Sequence, residues 1–197
     1  GYESIGEGLR QNMAAARAFV EKVKEEIPGI VLENCASGGH RLEPGYMALT
    51  SMASFSDAHE CVEIPIIAAN LHRVILPRQS QIWAVIRKTD SLKRISYSVA
   101  ATFLGRMCIS GDVWQLDKEQ WSIIDKGIMF YKKIASIIKR GQSYHFGPEI
   151  KSIRHPDGWQ AVLRIGDDQK AYIVLHTFQK DVPDKISFML PENCPID

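Results

Sequence analysis

The stretch QIWAVIRKTDSLKRISYSVAATFLGRMCISGDVWQLDKEQ, residues 81–120, decides the fold of the chain. Within it, residues 81–86 and 106–109 are short apolar runs of strand length. The segment between them, residues 91–104, has the length and the apolar spacing of a helix. Short apolar strands that alternate with helices are typical of a parallel sheet with helices packed outside it. The stretch therefore predicts an α/β fold.

Capping residues mark the starts of two helices. Ser91 is a suitable N-cap for the helix over residues 91–104, because its hydroxyl can accept a hydrogen bond from the first turn. Asp117 with Gln120 three residues later predicts a capping box for the next helix, and Gly141 ends that helix. We expect its buried stripe to consist of Trp121, Ile124, Ile128, Tyr131 and Ile138.

The same alternation extends toward the N-terminus. Apolar residues at steps of three and four predict a long amphipathic helix that Pro28 and Gly29 end; they are Leu9, Met13, Ala16, Val20, Val23 and Ile27. We then expect strands at residues 30–32 and 53–56. The helices expected beside them cover residues 47–52 and 61–74. This pattern is about half of a (β/α)8 barrel, because a complete one takes about 250 residues.

The character of the sequence changes after Gly141. Residues 159–165 and 171–178 have strand-like composition and are joined by the turn Gly166-Asp167-Asp168. Residues 186–190 are the predicted third strand. The fold class is thus predicted to be α/β: the second half of a (β/α)8 TIM barrel over residues 1–141, followed by a small antiparallel β-domain over residues 142–197.

Composition and charge exclude some classes of partner. The chain has 197 residues and a formal net charge of +1, with its basic residues dispersed, so we expect no nucleic-acid partner. Its apolar runs are far shorter than the roughly 20 residues of a membrane span, so we expect no membrane association. Neither zinc-site nor Cys-x-x-Cys spacing relates its cysteines, which are Cys35, Cys61, Cys108 and Cys194. Scattered cysteines favour reduced thiols and a cytoplasmic location.

Two strand ends carry residues suited to chemistry. The first is Asn34-Cys35-Ala36-Ser37-Gly38-Gly39-His40-Arg41, in which paired glycines allow a ligand to approach the backbone. The second is Phe55-Ser56-Asp57, which places a carboxylate at the tip of a strand. Barrel enzymes hold their catalytic groups at the C-terminal ends of strands. A glycine pair or an aspartate after a strand is more often a simple turn or cap, so each signal alone is weak.

Together the two strand ends resemble the melibiase-type α-galactosidases. That family has a Cys-x-x-Gly-Gly-x-Arg stretch after one barrel strand and a Ser-Asp pair at the tip of the next. Cys35 and Asp57 stand in that order and at a spacing that fits the family. The later segments Gln79–Ala84, Met107–Asp112 and Phe130–Lys133 resemble the rest of that barrel. The chain departs from the family pattern at His40, Glu43, Phe55 and Glu60.

The resemblance implies a role for each matching residue. Asp57 would be the general acid/base of a retaining glycosidase that removes terminal α-linked galactose from oligosaccharides. Cys35, Gly38 and Gly39 would contact the sugar, and Arg41 belongs to the same binding motif and would order its loop. Residues 142–197 would be part of a C-terminal antiparallel β-sandwich. Because such hydrolysis uses two carboxyl groups, no cofactor is expected.

The nucleophile of the family is a different aspartate, in a Trp-Asp-x-Asn type motif one strand earlier. These 197 residues contain no such motif. We therefore expect the chain to be inactive alone and to need the upstream half of the same enzyme as its partner. A preference for α-N-acetylgalactosaminides or raffinose-type oligosaccharides stays open, as does a catalytically inactive, carbohydrate-binding protein. Copies could also pair across the free sheet edge as a homo-oligomer, although nothing in the sequence favours a purely structural role.

Other side chains near these strand ends could either contact the sugar or serve only in packing. Trp114 follows Ser110-Gly111-Asp112 at a strand end and is the candidate platform on which a sugar ring could stack. His40 and His59 flank the proposed site and could touch substrate. Cys61 and Cys108 are expected to be buried packing residues.

Overall fold

The structure is a computed structural model that describes residues 4–35, 39–55, 60–180, 182–192 and 194. Its helices are α1 Ile5–Glu26, α2 Pro44–Leu49, α3 Glu63–Leu71, α4 Leu92–Ala101 and α5 Lys118–Arg140. Its strands are β1 Glu33–Cys35, β2 Met52–Ser54, β3 Ser80–Ile86, β4 Arg106–Gly111, β5 Gln142–Phe146, β6 Trp159–Ile165 and β7 Ala171–Thr177. Short 3-10 turns cover Pro77–Gln79, Thr102–Leu104 and Val113–Gln115.

Strands β1 to β4 form a parallel sheet in sequence order, and β5 to β7 form an antiparallel sheet. Helices connect the parallel strands, and the antiparallel sheet follows α5. The predicted fold class, a strand–helix half-barrel followed by a small antiparallel β-domain, is confirmed. Because β1 pairs only with β2 in the described part of the chain, its other edge is open there.

The predicted capping residues occupy the helix starts. The Ser91 hydroxyl accepts a 3.2 Å hydrogen bond from the backbone N–H of Arg94. Asp117 and Gln120 form the capping box, with Asp117 accepting from the Gln120 backbone at 2.9 Å and Gln120 accepting from the Asp117 backbone at 3.0 Å. These local signals fixed the start of α4 and of α5 in the sequence, since side-chain caps satisfy N–H groups that the helix itself leaves unpaired.

One hydrophobic core joins the two sheets. Ile82 of β3 lies in it with Ile134 and Ile137 of α5, and with Val162 and Val174 of the antiparallel sheet. The Arg164 side chain, only 1% exposed, strengthens this junction. Its guanidinium donates hydrogen bonds to the last carbonyls of α5, on Ile137, Ile138 and Gly141, at 2.7, 3.1 and 2.7 Å.

The first strand differs from the prediction. It covers Glu33–Cys35, three residues later than the apolar run at 30–32, and Val31 is 62% exposed. The pairing with β2 begins at Glu33 and Met52. Since β1 is an edge strand of the described sheet, apolarity does not decide which residues enter it. The second strand and the helices beside it are also shorter than or displaced from the predicted ranges.

The predicted stripe of α5 was partly wrong. Trp121 is 37% exposed and does not belong to the core. The residues of α5 that are buried are Gln120, Ile124, Gly127, Ile134, Ile137 and Ile138. Gly127 explains why the buried face of α5 differs from the predicted stripe. It lets α5 approach Val99 of α4 more closely than a larger residue would.

The third strand of the antiparallel sheet is β5, and the predicted strand at residues 186–190 does not form. Strand β5 reads Gln-Ser-Tyr-His-Phe, which lacks the apolar pattern that predicts a strand, and its pairing with β6 alone places it in the sheet. The 186–190 segment instead packs through its side chains: the Phe188 ring stacks on Phe146 at 4.4 Å.

Candidate active site

The parallel sheet has one apolar and one polar face. Ile82, Ala84 and Ile86 of β3 are buried in the apolar clusters that contain the helices. Alternation along the strands places the following residues on the opposite face: Glu33, Cys35, Met52, Ser54, Gln81, Trp83, Val85, Arg106, Cys108 and Ser110. The interior of a complete barrel is usually filled with branched apolar side chains. The polar side chains therefore indicate that this face serves a ligand or a wet cavity.

Hydrogen bonds tie the polar side chains of neighbouring strands together. The indole nitrogen of Trp83 donates to the Ser54 hydroxyl oxygen at 3.0 Å, which joins β3 to the last residue of β2. The Gln81 amide donates to the Glu33 carboxylate at 3.4 Å, which connects β3 with β1. Burial raises the pKa of the Cys108 thiol, and the Glu33 carboxylate raises it further. Glu33 thus faces β4 as well.

The glycine motif brings the two candidate strand ends together. Gly39 has a φ of +86°, a conformation that side chains rarely adopt. A Cβ atom there would lie 2.8 Å from Leu42 Cδ1 and 3.0 Å from the Phe55 carbonyl oxygen. The loop after β1 therefore packs on the residue that follows β2. This contact places the Cys35 motif beside the segment that leads to Ser56 and Asp57.

Arg41 and its neighbours hold the loop in place. The Arg41 backbone carbonyl accepts a 2.5 Å hydrogen bond from the Asn34 side chain, and its guanidinium lies 5.6 Å from the centre of the Tyr46 ring. Arg17 of α1 approaches the same ring at 5.4 Å and pairs with Glu43 at 2.7 Å. These contacts tie the loop to β1, α1 and α2.

Glu43 begins α2 as its N-cap. Its carboxylate accepts hydrogen bonds from the backbone N–H groups of Gly45 and Tyr46 at 2.7 and 2.8 Å. These bonds, led by that from Gly45, lower the pKa of the Glu43 carboxyl. Glu43 stands where the family often has Asp, and here it links α1, the motif loop and α2.

The predicted site residues fall into three groups. Cys35 is exposed at the end of β1 on the polar face, with Gly39 and Arg41 in the loop beyond it. Asp57, Gly38 and His59 lie outside the described residues. Trp114 is 75% exposed and follows the C-terminal end of β4, where Ile86 pairs with Gly111. Cys35 is level with the start of β4, where Gln81 pairs with Arg106. Five residues of strand, roughly 17 Å, separate those two levels.

Some polar residues on the same face as Cys35 were not predicted from the sequence. Glu33, Ser54 and Gln81 share the polar face with Cys35, and strand alternation would have indicated them if β1 had been placed at residues 33–35. Cys61 and Cys108 are half-buried and not fully buried as expected; the Cys61 sulfur accepts a hydrogen bond from Arg94 at 3.1 Å. All four cysteines are free.

The described residues contain neither a candidate metal site nor a candidate membrane-spanning helix. No cluster of three or more His, Cys, Asp or Glu residues there could hold a metal ion. None of the helices described has the length and hydropathy that crossing a bilayer requires.

Comparison with known proteins points to one family. The sequence profile of the Melibiase family matches residues 5–141. No curated protein matches the chain.

Solved α-galactosidases have a similar fold. The galactosidase domain of the α-galactosidase–sucrose kinase AgaSK superposes with a TM-score of 0.66 at 18% identity, over 79% of this chain and 22% of that one. The GH36 α-galactosidase AgaA of Geobacillus stearothermophilus, in complex with 1-deoxygalactonojirimycin, gives 0.65 at 18% identity, over 78% and 21%. The α-galactosidase of Lactobacillus brevis gives 0.64 at 21% identity, over 77% and 20%.

The chain spans about a fifth of the length of these solved proteins. At such identities the likeness concerns the fold, which is the latter part of a GH36 barrel followed by a small β-domain. Variants of the Geobacillus enzyme have been solved in complex with raffinose and with stachyose.

Proposed function

Because the chain belongs to the Melibiase family, we propose that it forms the acid/base half of a retaining α-galactosidase site. One observation carries the proposal. Gly39, in the motif loop after β1, packs against the carbonyl of Phe55, two residues before Asp57. The contact supports a single site built from the Cys-x-x-Gly-Gly-x-Arg loop and the end of β2. The proposed substrates are oligosaccharides that end in α-linked galactose.

Asp57 would act in both steps of the reaction. In the first step its carboxylic acid gives a proton to the glycosidic oxygen as the C–O bond breaks and a second carboxylate attacks the anomeric carbon. In the second step its carboxylate takes a proton from water, which displaces the enzyme carboxylate and releases galactose with retained configuration. The second carboxyl group must lie about 5–5.5 Å from Asp57.

Cys35, Gly38 and Gly39 would line the galactose position, with Arg41 holding their loop. Cys35 is exposed on the polar face, where its side chain and the nearby loop backbone can meet a sugar. Trp114 is too far along the sheet edge to share a sugar unit with Cys35. We therefore assign it to an outer position, where a later unit of the oligosaccharide could stack on the exposed indole.

The nucleophile would come from the upstream half of the same enzyme. Two surfaces support such a partner. The apolar stripe predicted for α1 is largely uncovered, with Leu9, Met13 and Ile27 all exposed. The outer edge of β1 lies open in the described sheet and can pair with a further parallel strand. Closure of the barrel would bury both surfaces.

The remaining proposals concern organisation and location. We place the boundary between the barrel segment and the β-domain at Gly141, where α5 ends. The β-domain shares its core with the barrel helices, so it would fold together with them. The four free thiols are consistent with a reducing, cytoplasmic setting.

A second candidate function is carbohydrate binding without catalysis. The observation that favours it is the absence of a Trp-Asp-x-Asn motif from these 197 residues. Such a protein would keep the Cys35 loop as a galactose site and would not cleave the glycosidic bond.

Hydrolysis of p-nitrophenyl α-galactoside tests the proposal. The chain is assayed alone and after co-production with an upstream half-barrel that carries the nucleophile motif. We expect activity only in the combined sample, and we expect Asp57→Ala to abolish it while the exposed Asp125→Asn leaves it unchanged. Hydrolysis by the chain alone would show that another residue serves as nucleophile. Galactose binding without hydrolysis in the combined sample would favour the second candidate.

A further inference from the structure

A groove of about 520 Å³ opens at the amino-terminal ends of β2, β3 and β4. It is lined by the segment before β2, the 3-10 turn before β3, the first residue of β4 and the C-terminal half of α5. Of the described residues, none that we assign to the galactose site lines it. Nothing in the proposed glycosidase reaction uses it.

The ionisable lining of this groove is basic. Arg78, Arg106 and Lys139 line it, together with Tyr131 and Ser51. None of the described residues that line it is acidic. Three positive side chains around one groove repel one another, and an anion between them would relieve that repulsion.

Carboxylates of the described residues neutralise several cations of the chain, but not these three. Arg10, Arg17, Arg87, Arg94, Arg140 and Lys170 each form an ion pair with a carboxylate. Arg78, Arg106 and Lys139 take part in none of the ion pairs formed between described residues.

The C-terminal end of α5 interacts favourably with two of these three cations, but only weakly. Lys139 lies in the last turn of α5, where the helix dipole favours a positive charge, and Arg78 donates a long 3.4 Å hydrogen bond to the Lys139 carbonyl. Arg106 donates an equally marginal bond, 3.5 Å, to the Arg78 carbonyl. Both bonds are at the limit of hydrogen-bonding length, so the guanidinium groups retain donors for a ligand.

We propose that this groove binds a phosphate dianion, either free or as the phosphomonoester of a small molecule. Two guanidinium groups match the tetrahedral oxygens of phosphate, and Lys139 adds a third positive charge. The lining also includes the exposed Ala135 of α5, which offers an apolar contact to the organic part of a phosphomonoester. The volume exceeds what a bare phosphate needs.

Isothermal titration of the protein with inorganic phosphate, at constant ionic strength, tests the proposal. We expect measurable binding that the double variant Arg78→Gln with Arg106→Gln weakens at least about tenfold. The matched control removes two charges from the exposed face of the same helix, through Lys132→Gln with Lys133→Gln, and should leave the dissociation constant within about twofold. The single exposed change Lys139→Gln should weaken binding about threefold even if the double variant does not fold.

Glucose 6-phosphate, compared with glucose and with phosphate, distinguishes the two sources of the anion. Tighter binding of the sugar phosphate identifies a phosphomonoester, and equal binding identifies free phosphate. Binding that the groove variants leave unchanged, or no binding of either phosphate, would overturn the proposal. Binding of a polyglutamate peptide without binding of phosphate would overturn it in favour of an acidic protein segment.

Discussion

The indole nitrogen of Trp83 and the hydroxyl of Ser54 form a 3.0 Å hydrogen bond on the polar face of the sheet. Ser54 is the last residue of β2, three residues before Asp57. The bond therefore anchors the strand that carries the proposed acid/base. We expect Trp83 to act as a positioning residue for the proposed acid/base, so that its removal affects the reaction without changing the fold.

We expect Trp83→Phe to lower kcat of the reconstituted enzyme by about five- to tenfold, because one hydrogen bond contributes about 1 kcal/mol. The loss should be larger on raffinose than on p-nitrophenyl α-galactoside, since raffinose has a poor leaving group that needs the acid. KM should change little. The measurement is steady-state kinetics on both substrates, with the exposed Trp121→Phe as the control. Equal losses on the two substrates would contradict a link between Trp83 and the acid/base.

Gly39 offers a test of the contact between the motif loop and β2. Gly39→Ala forces a side chain into the left-handed region and against the Phe55 carbonyl, so we expect the free energy of unfolding to fall by about 1–3 kcal/mol. Gly6→Ala is the matched control, because it lies in α1 with open space around it and should stabilise the chain by about 0.5 kcal/mol. Urea denaturation measures both changes. A Gly39→Ala variant as stable as the parent would show that the loop does not pack on β2 as described.

Arg164 should be among the most sensitive positions for stability. Arg164→Met leaves the carbonyls at the end of α5 without their buried donor, and we expect the free energy of unfolding to fall by about 2–4 kcal/mol. Arg140→Met removes an exposed ion pair with Asp167 and should have little effect. Similar unfolding midpoints in urea for the two variants would contradict this difference.

His72, which is half-buried, and His176, which is buried, predict an acid-sensitive fold. Burial lowers the pKa of His72 and of His176 to about 4, from an ordinary value of 6.5. Between those values the unfolded chain takes up protons that the folded chain does not, so stability is complete above pH 6.5 and decreases as the pH falls toward 4. The loss is on the order of 3 kcal/mol per histidine at most.

His176→Phe should reduce this dependence, because it removes one titrating group and keeps a ring against Tyr97, 4.7 Å away. The measurement is the free energy of unfolding in urea from pH 7 to pH 4.5. The exposed His155→Gln serves as the control for the removal of a surface imidazole. A slope that His176→Phe does not alter would mean that His176 titrates alike in the folded and unfolded chain.

The sequence predicted the fold best where local signals and burial agree. Strand β3 and the starts of α4 and α5 were predicted closely, because β3 is buried on both faces and the helices carry side-chain caps. The prediction was less accurate where tertiary contacts determine the bounds of a strand or the buried face of a helix. Strand β1 is shifted along an edge, Trp121 is exposed because Gly127 sets the packing face, and β5 depends on its pairing with β6.

The candidate site depended on two kinds of information. The Cys35 and Asp57 motifs were found through their resemblance to a family, since neither is distinctive by physical chemistry alone. The polar row of Glu33, Ser54 and Gln81 was missed, because its recognition requires the correct register of three short strands. Asp57 itself lies outside the described residues, so its role as acid/base is a prediction to be tested by chemistry.

Azide rescue of Asp57→Ala is the most direct test of the central claim. A retaining glycosidase without its acid/base still forms the glycosyl–enzyme intermediate from p-nitrophenyl α-galactoside, because p-nitrophenolate leaves without a proton, but it cannot activate water. We predict that sodium azide restores p-nitrophenol release by the reconstituted Asp57→Ala enzyme and that NMR identifies the product as α-galactosyl azide. No rescue, or rescue that yields the β-azide, would contradict the assignment of Asp57 as the acid/base.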